Sequence, residues 1–144
     1  MTDKEGLVQG VLTTPANLNE ISNLEEVLDT ADIPKDVYLY GDKGYKSAKN
    51  EDILKAKKLK SRILSKATKG KPLTDREKLR NKLIGKTRFK VERTFGSIKR
   101  WFNSTCCRYI CLEKMHTQKL MESMAYNLYR SPGIIMSNSL KMVK

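Results

Sequence analysis

The sequence has no apolar run of about 18 residues, so it offers no membrane-spanning helix. Its first residues, Met-Thr-Asp-Lys-Glu-Gly, lack the basic and apolar regions of a signal peptide, which points to a cytoplasmic protein. There is one histidine, His116, with no Cys or His at ligand spacing, so it reads as structural or exposed. The three cysteines are Cys106, Cys107 and Cys111. Two adjacent cysteines and a third four residues on do not match a zinc-finger spacing, and they read as free thiols. No internal repeat and no second domain is visible, and at 144 residues the chain is one domain or part of one.

Acidic side chains are scarce beyond residue 42. Residues 1–42 hold nine Asp or Glu and two Lys, whereas residues 43–144 hold seven Asp or Glu and 27 Lys or Arg. A basic block of that size suggests a polyanionic partner, most simply nucleic acid. Charge alone does not separate DNA from RNA, or either from an anionic membrane surface.

The apolar pattern predicts alternating short strands and helices. Gly6 to Thr14, stopped by Pro15, reads as a strand. Asn17-x-x-Glu20 resembles a helix cap, and Ile21, Leu24 and Leu28 follow at helical spacing. Val37 to Tyr40 reads as a buried strand, and Asp42 and Gly44 form a turn just after it. A helix is expected over 47–60 with Ser47 as cap, and a short strand at Arg62-Ile63-Leu64. Lys66 to Pro72 is a basic loop, read as a DNA-contacting or simply solvated segment. Thr74-x-x-Glu77 is a capping box opening a helix through about Ile84, with Gly85 as a break. A last helix is expected over 114–129 with Met121, Met124, Ala125 and Leu128 inward. Ser131-Pro132-Gly133 would stop it and leave 131–144 as a flexible tail.

The most informative stretch is Lys86 to Phe102. At about 100° per residue, Val91, Phe95, Ile98 and Phe102 form one apolar stripe. Arg88, Glu92 and Lys99 fall beside it, and Arg88 and Glu92 are spaced to pair. Two interpretations are open at this point. One is an amphipathic helix with a salt bridge and a solvated basic face. The other is a metal-binding glutamate with cations holding phosphate beside it.

Arg88-x3-Glu92-x6-Lys99, with Val91-Glu92-Arg93-Thr94-Phe95 and Ile98-Lys99-Arg100, resembles the helix around the last acidic residue of bacterial insertion-sequence DDE transposases. The family's usual Tyr three residues before the Arg is replaced here by Gly85. Leu39-Tyr40-Gly41-Asp42-Lys43-Gly44-Tyr45 resembles the segment with the family's second catalytic Asp, and Val11 to Asn17 resembles the strand and turn before it. The three motifs occur in family order from about Gly6 to Tyr129.

The resemblance implies an α/β fold, a partial ribonuclease-H-like domain with a short mixed sheet and flanking helices, over residues 1–130. It implies DNA, specifically transposon ends, as partner, with a homo-oligomer or a full-length transposase as possible protein partners and no membrane. It implies a two-metal Mg²⁺ site, because two such ions about 3.5–4 Å apart activate the attacking oxygen and stabilise the leaving one. Asp42 and Glu92 would be the catalytic metal ligands. Arg88, Lys99, Arg93 and Arg100 would hold DNA phosphates, and Gly44 and Tyr45 would shape the pocket.

The family's first Asp is expected upstream of the Gly6 strand, and Asp3 is not a candidate for it. The expectation is therefore a C-terminal part of a transposase, from a truncated reading frame or a frameshift product, inactive or nearly so alone. The competing functions are a non-enzymatic basic DNA-binding protein that regulates a full-length transposase, and an RNA-binding protein suggested by charge only.

Overall fold

A computed structural model of the chain describes residues 1–142. They form two compact units, one of residues 16–89 and one of 1–15 with 90 onward. The elements in order are α1 (Leu24–Asp29), β1 (Tyr38–Gly41), α2 (Ala48–Ala56), β2 (Lys60–Ile63), α3 (Asp75–Trp101) and α4 (Leu112–Met142). The mixed α/β class and a short sheet are as expected. The helix α3 contributes residues to both units.

In the first unit, β1 and β2 pair in parallel, with Tyr38 opposite Lys60 and Tyr40 opposite Arg62. Parallel neighbours need a crossover, and α2 supplies it. Ser47 caps α2 by accepting from the Asn50 N–H at 3.2 Å. The helix ends at Ala56, earlier than the expected boundary, because Lys58 takes a left-handed conformation (φ 56°) that turns the chain back toward β2. Leu24, Leu28, Leu54, Leu59, Ile63 and Ile84 are the buried apolar side chains of this unit. Two expectations fail here. The cap before α1 is Asn19, which accepts from Ile21 N–H and opens a 3-10 turn, not Asn17. And β1 is not buried: Tyr38 and Tyr40 are exposed, on a sheet of two strands. Instead the Arg62 guanidinium lies over the Tyr38 ring, 4.5 Å from its centroid.

The capping box at α3 forms as read. Glu77 accepts from the Thr74 N–H at 2.9 Å, and Thr74 Oγ1 accepts from the Glu77 N–H at 3.3 Å. The bond from the Thr74 N–H first, and then one from the Thr74 hydroxyl at 2.8 Å, hold the Glu77 carboxyl below its ordinary range. Gly85 does not interrupt the helix, which runs 27 residues without a break. The cost of one helical glycine, about 1 kcal/mol against alanine, is too small by itself to break a long helix.

In the second unit, the C-terminal part of α3 and α4 hold an extended N-terminal segment. Gly6 to Thr14 was expected to be a strand, but it joins no sheet and makes only an isolated bridge between Thr2 and Val8. Its backbone is satisfied by the first residues of the chain and, at Gly6 and Val8, by side chains. Asn127 accepts from the Val8 N–H and donates to the Val8 carbonyl, both at 2.8 Å, in the place of a neighbouring strand. Thr94 donates to the Gly6 carbonyl at 2.8 Å and accepts from the Tyr126 hydroxyl at 3.2 Å. The ring of Tyr126 meets Phe102 edge-on, with centroids 6.5 Å apart. His116 has a structural role, its Nδ1 3.1 Å from Thr13 Oγ1.

This network shifts the buried stripe of α3. Ile98 is buried and Val91 and Phe102 are half-buried as read, but Phe95 is 46% exposed and Thr94 is 1% exposed. Thr94 is three residues past Val91 and four before Ile98, so it lies on the same face. Gly6 is forced by this packing: its φ is +88°, and a Cβ there would stand 2.9 Å from Thr94 Oγ1.

The last helix differs most from expectation. It starts at Leu112 and continues past Pro132 to Met142, so residues 131–142 are helical rather than a frayed tail. A proline removes one hydrogen bond and kinks a helix without having to end it. Its inward face is polar. Met121, Met124 and Leu128 are exposed, while Tyr126 is buried and Glu122, Ser123 and Asn127 are half-buried. The expected methionine stripe therefore faces solvent, because the segment it packs beside needs hydrogen-bond partners.

Candidate functional site

Asp42 follows directly on the C-terminal end of β1 and caps a 3-10 turn, Lys43–Tyr45. Its Oδ1 accepts from the Lys43 N–H at 2.6 Å, and Arg88 Nη1 stands 3.4 Å from the same oxygen. The side chains are partly open, 49% exposed for Asp42 and 27% for Arg88. The turn is fixed from below. The Tyr45 N–H donates to the Asp42 carbonyl at 3.0 Å, and buried Asn50 donates to the carbonyls of Tyr45 and Ile21. Gly44 does not use its conformational freedom: a Cβ there would meet Ile21 at an ordinary 3.6 Å. The turn expected just after Asp42 is present as a 3-10 turn, and it does not require glycine.

Beside this turn, Lys46 and Glu51 pair at 2.9 Å, and Ser61 donates to Glu51 at 3.0 Å. Burial pushes the Glu51 carboxyl up, but the hydrogen bonds from Lys46 and Ser61 and the charges of Lys46 and Lys55 outweigh it and bring it below its ordinary value.

Of the site residues read from the sequence, Asp42, Gly44, Tyr45 and Arg88 belong to the unit of residues 16–89, and the structure brings Arg88 to Asp42. Glu92 is four residues beyond Arg88 on the same continuous helix, and it is exposed. Arg93, Lys99 and Arg100 are exposed farther along α3. Among the described residues no group of three or more His, Cys, Asp or Glu is placed to hold a metal ion. None of their helices is long and apolar enough to cross a membrane.

The sequence reading missed three positioning residues. Asn50 holds the Asp42 turn, Asn127 clasps Val8, and Asn81 clasps Ser65, accepting from its N–H at 2.9 Å and donating to its carbonyl at 3.0 Å. The available signal was asparagine inside helices, where its propensity is poor and its presence calls for a hydrogen-bonding reason.

Residues 1–128 match the family model described as a Transposase DDE domain. Over 130 residues the chain is 37% identical to the transposase for insertion sequence element IS1106 of Neisseria meningitidis serogroup B. That alignment covers 90% of this chain and 44% of the relative, so the chain spans less than half the relative's length. No solved structure matches it. A match over nearly the whole chain places this protein in the DDE transposase family.

Proposed function

We propose that this chain supplies two carboxylates, Asp42 and Glu92, to the metal-dependent centre with which a transposase cuts and joins DNA. The observation that carries the proposal is the 3.4 Å approach of Arg88 to Asp42 in a member of this family. A cation beside a partly open carboxylate at a strand end suits a site that must accept phosphate next to a metal.

Carboxylate oxygens are the donors Mg²⁺ prefers, so Asp42 and Glu92 fit that ion in type. Bound Mg²⁺ would supply activation of the attacking oxygen and stabilisation of the leaving one. The chain's own residues do the rest. Asp42 and Glu92 offer oxygen ligands, and Arg88 neutralises Asp42 until DNA phosphate competes for its guanidinium. Arg93, Lys99 and Arg100 hold the DNA backbone, and Gly44 and Tyr45 form the turn that aims Asp42. Two carboxylates hold Mg²⁺ weakly, so the 144-residue polypeptide by itself nicks DNA slowly or not at all.

Two measurements on the 144-residue chain test this. Binding to a short duplex should weaken steeply with salt, in proportion to the phosphates neutralised. Mn²⁺ uptake, followed by water-proton relaxation, should be weak and should fall in both Asp42→Ala and Glu92→Ala. Uptake unchanged in both variants, with DNA binding intact, would leave a basic DNA-binding protein that regulates transposition and would sink the catalytic assignment.

A further inference from the structure

The connection between α3 and α4 is tied to α4. Its polar atoms point back onto α4: Lys119 donates to the Ser104 carbonyl at 2.7 Å and to its hydroxyl at 2.8 Å. Gln118 donates to the Cys106 carbonyl at 2.9 Å and accepts from the Arg108 N–H at 3.0 Å. Asn103, in a left-handed conformation (φ 52°), ends α3, and Phe102 packs on Tyr126. The loop is therefore anchored, yet Tyr109 and Ile110 in it, and Trp101 at the end of α3, face water. Ile110 is fully exposed, Trp101 is 67% exposed, and Tyr109 is exposed as well.

An ordinary surface loop shows its polar groups and hides such side chains. Residues 99–114 also carry four cations, Lys99, Arg100, Arg108 and Lys114, against one acid, Glu113, and all five are exposed. The Arg100 guanidinium lies 5.1 Å from the centre of the Trp101 ring, stacking a cation on the indole. Aromatic and apolar groups held on a fixed loop among cations are what a nucleic-acid strand with an unstacked base requires.

We propose that this connection is a second DNA contact, beyond the residues assigned above, that takes an unpaired or unstacked base on Trp101, Tyr109 and Ile110 while Arg108 and Lys114 hold the flanking phosphates. It rests on the proposal that the chain binds DNA and adds a preference for distorted DNA that the carboxylates do not supply. Trp101 is the sole tryptophan of the chain, so its fluorescence reports this loop alone.

The test titrates the full 144-residue chain with two probes, a fully paired duplex and the same duplex carrying a central unpaired thymine. Tighter binding of the second, with quenched Trp101 emission, is expected. Tyr109→Ala and Ile110→Ala should each remove that preference, by about five- to a hundredfold for a lost stacking contact, and leave paired-duplex affinity unchanged. Both positions are exposed, and unchanged circular dichroism checks that the variants fold. Equal binding of the two duplexes without quenching overturns the inference while leaving DNA binding standing. Binding of neither overturns both proposals. A Trp101 blue shift on anionic phosphatidylserine vesicles, with no response to either duplex, assigns the loop to a lipid surface and also overturns it.

Discussion

Arg88 meets Asp42 at 3.4 Å although 46 residues separate them, so a guanidinium of α3 sits at the turn after β1. Both side chains are partly exposed, so the pair itself contributes little stability, on the order of 0–1 kcal/mol before solvent screening is considered. We expect Arg88→Ala to change stability to denaturant by less than about 1 kcal/mol. The same variant should weaken duplex binding and flatten its salt dependence by roughly one released counterion. A large loss of stability with unaltered DNA affinity would make the contact purely structural.

The Tyr126–Thr94–Gly6 chain is buried, and one hydroxyl serves both ends of it. Thr94→Val keeps the shape and removes the hydroxyl. The Gly6 carbonyl and the Tyr126 hydroxyl both lose a partner, and each unsatisfied buried group costs about 1–3 kcal/mol. For the two groups together urea denaturation should show a loss of about 2–6 kcal/mol. Gly6→Ala should also destabilise, because its left-handed backbone disfavours a side chain and its Cβ would crowd Thr94. The two changes share an atom pair, so their combined effect should depart from the sum.

Glu122 couples the α3–α4 connection to pH. Burial pushes its carboxyl up, but hydrogen bonds from Ser104, Gln118 and Lys119 and the Lys119 charge outweigh this and hold it below the ordinary glutamate range. A carboxyl depressed in the folded state contributes stability that is fully present above its unfolded value and is lost as pH falls through the folded one. Thermal midpoints should therefore drop as pH falls through about 4.3, where an unfolded glutamate is half protonated. Glu122→Gln should lower the midpoint at neutral pH and flatten that acid limb. An identical acid limb in the variant would exclude Glu122 as its source.

Local chemistry was legible in the chain itself. The Thr74–Glu77 box and the Ser47 cap depend on residues three apart, and both formed as read. The strand before Asp42 and the helix through Glu92 were also readable, because β-rich runs and helical periodicity are short-range patterns. The expected Gly6–Thr14 strand failed for a long-range reason. An extended segment becomes a strand only when another backbone pairs with it, and here Asn127, 119 residues away from Val8, fills that place.

The sequence by itself determined the charge asymmetry, the caps, the order of the motifs and the residue types available for metal and phosphate. Tertiary structure decided which face of each long helix is inward. Phe95 and Met121 lost their expected core positions to Thr94 and Tyr126, since buried backbone groups of the N-terminal segment required hydroxyls and amides more than apolar contact. It also decided that Arg88 reaches Asp42, a pairing that no spacing rule within one helix can foresee.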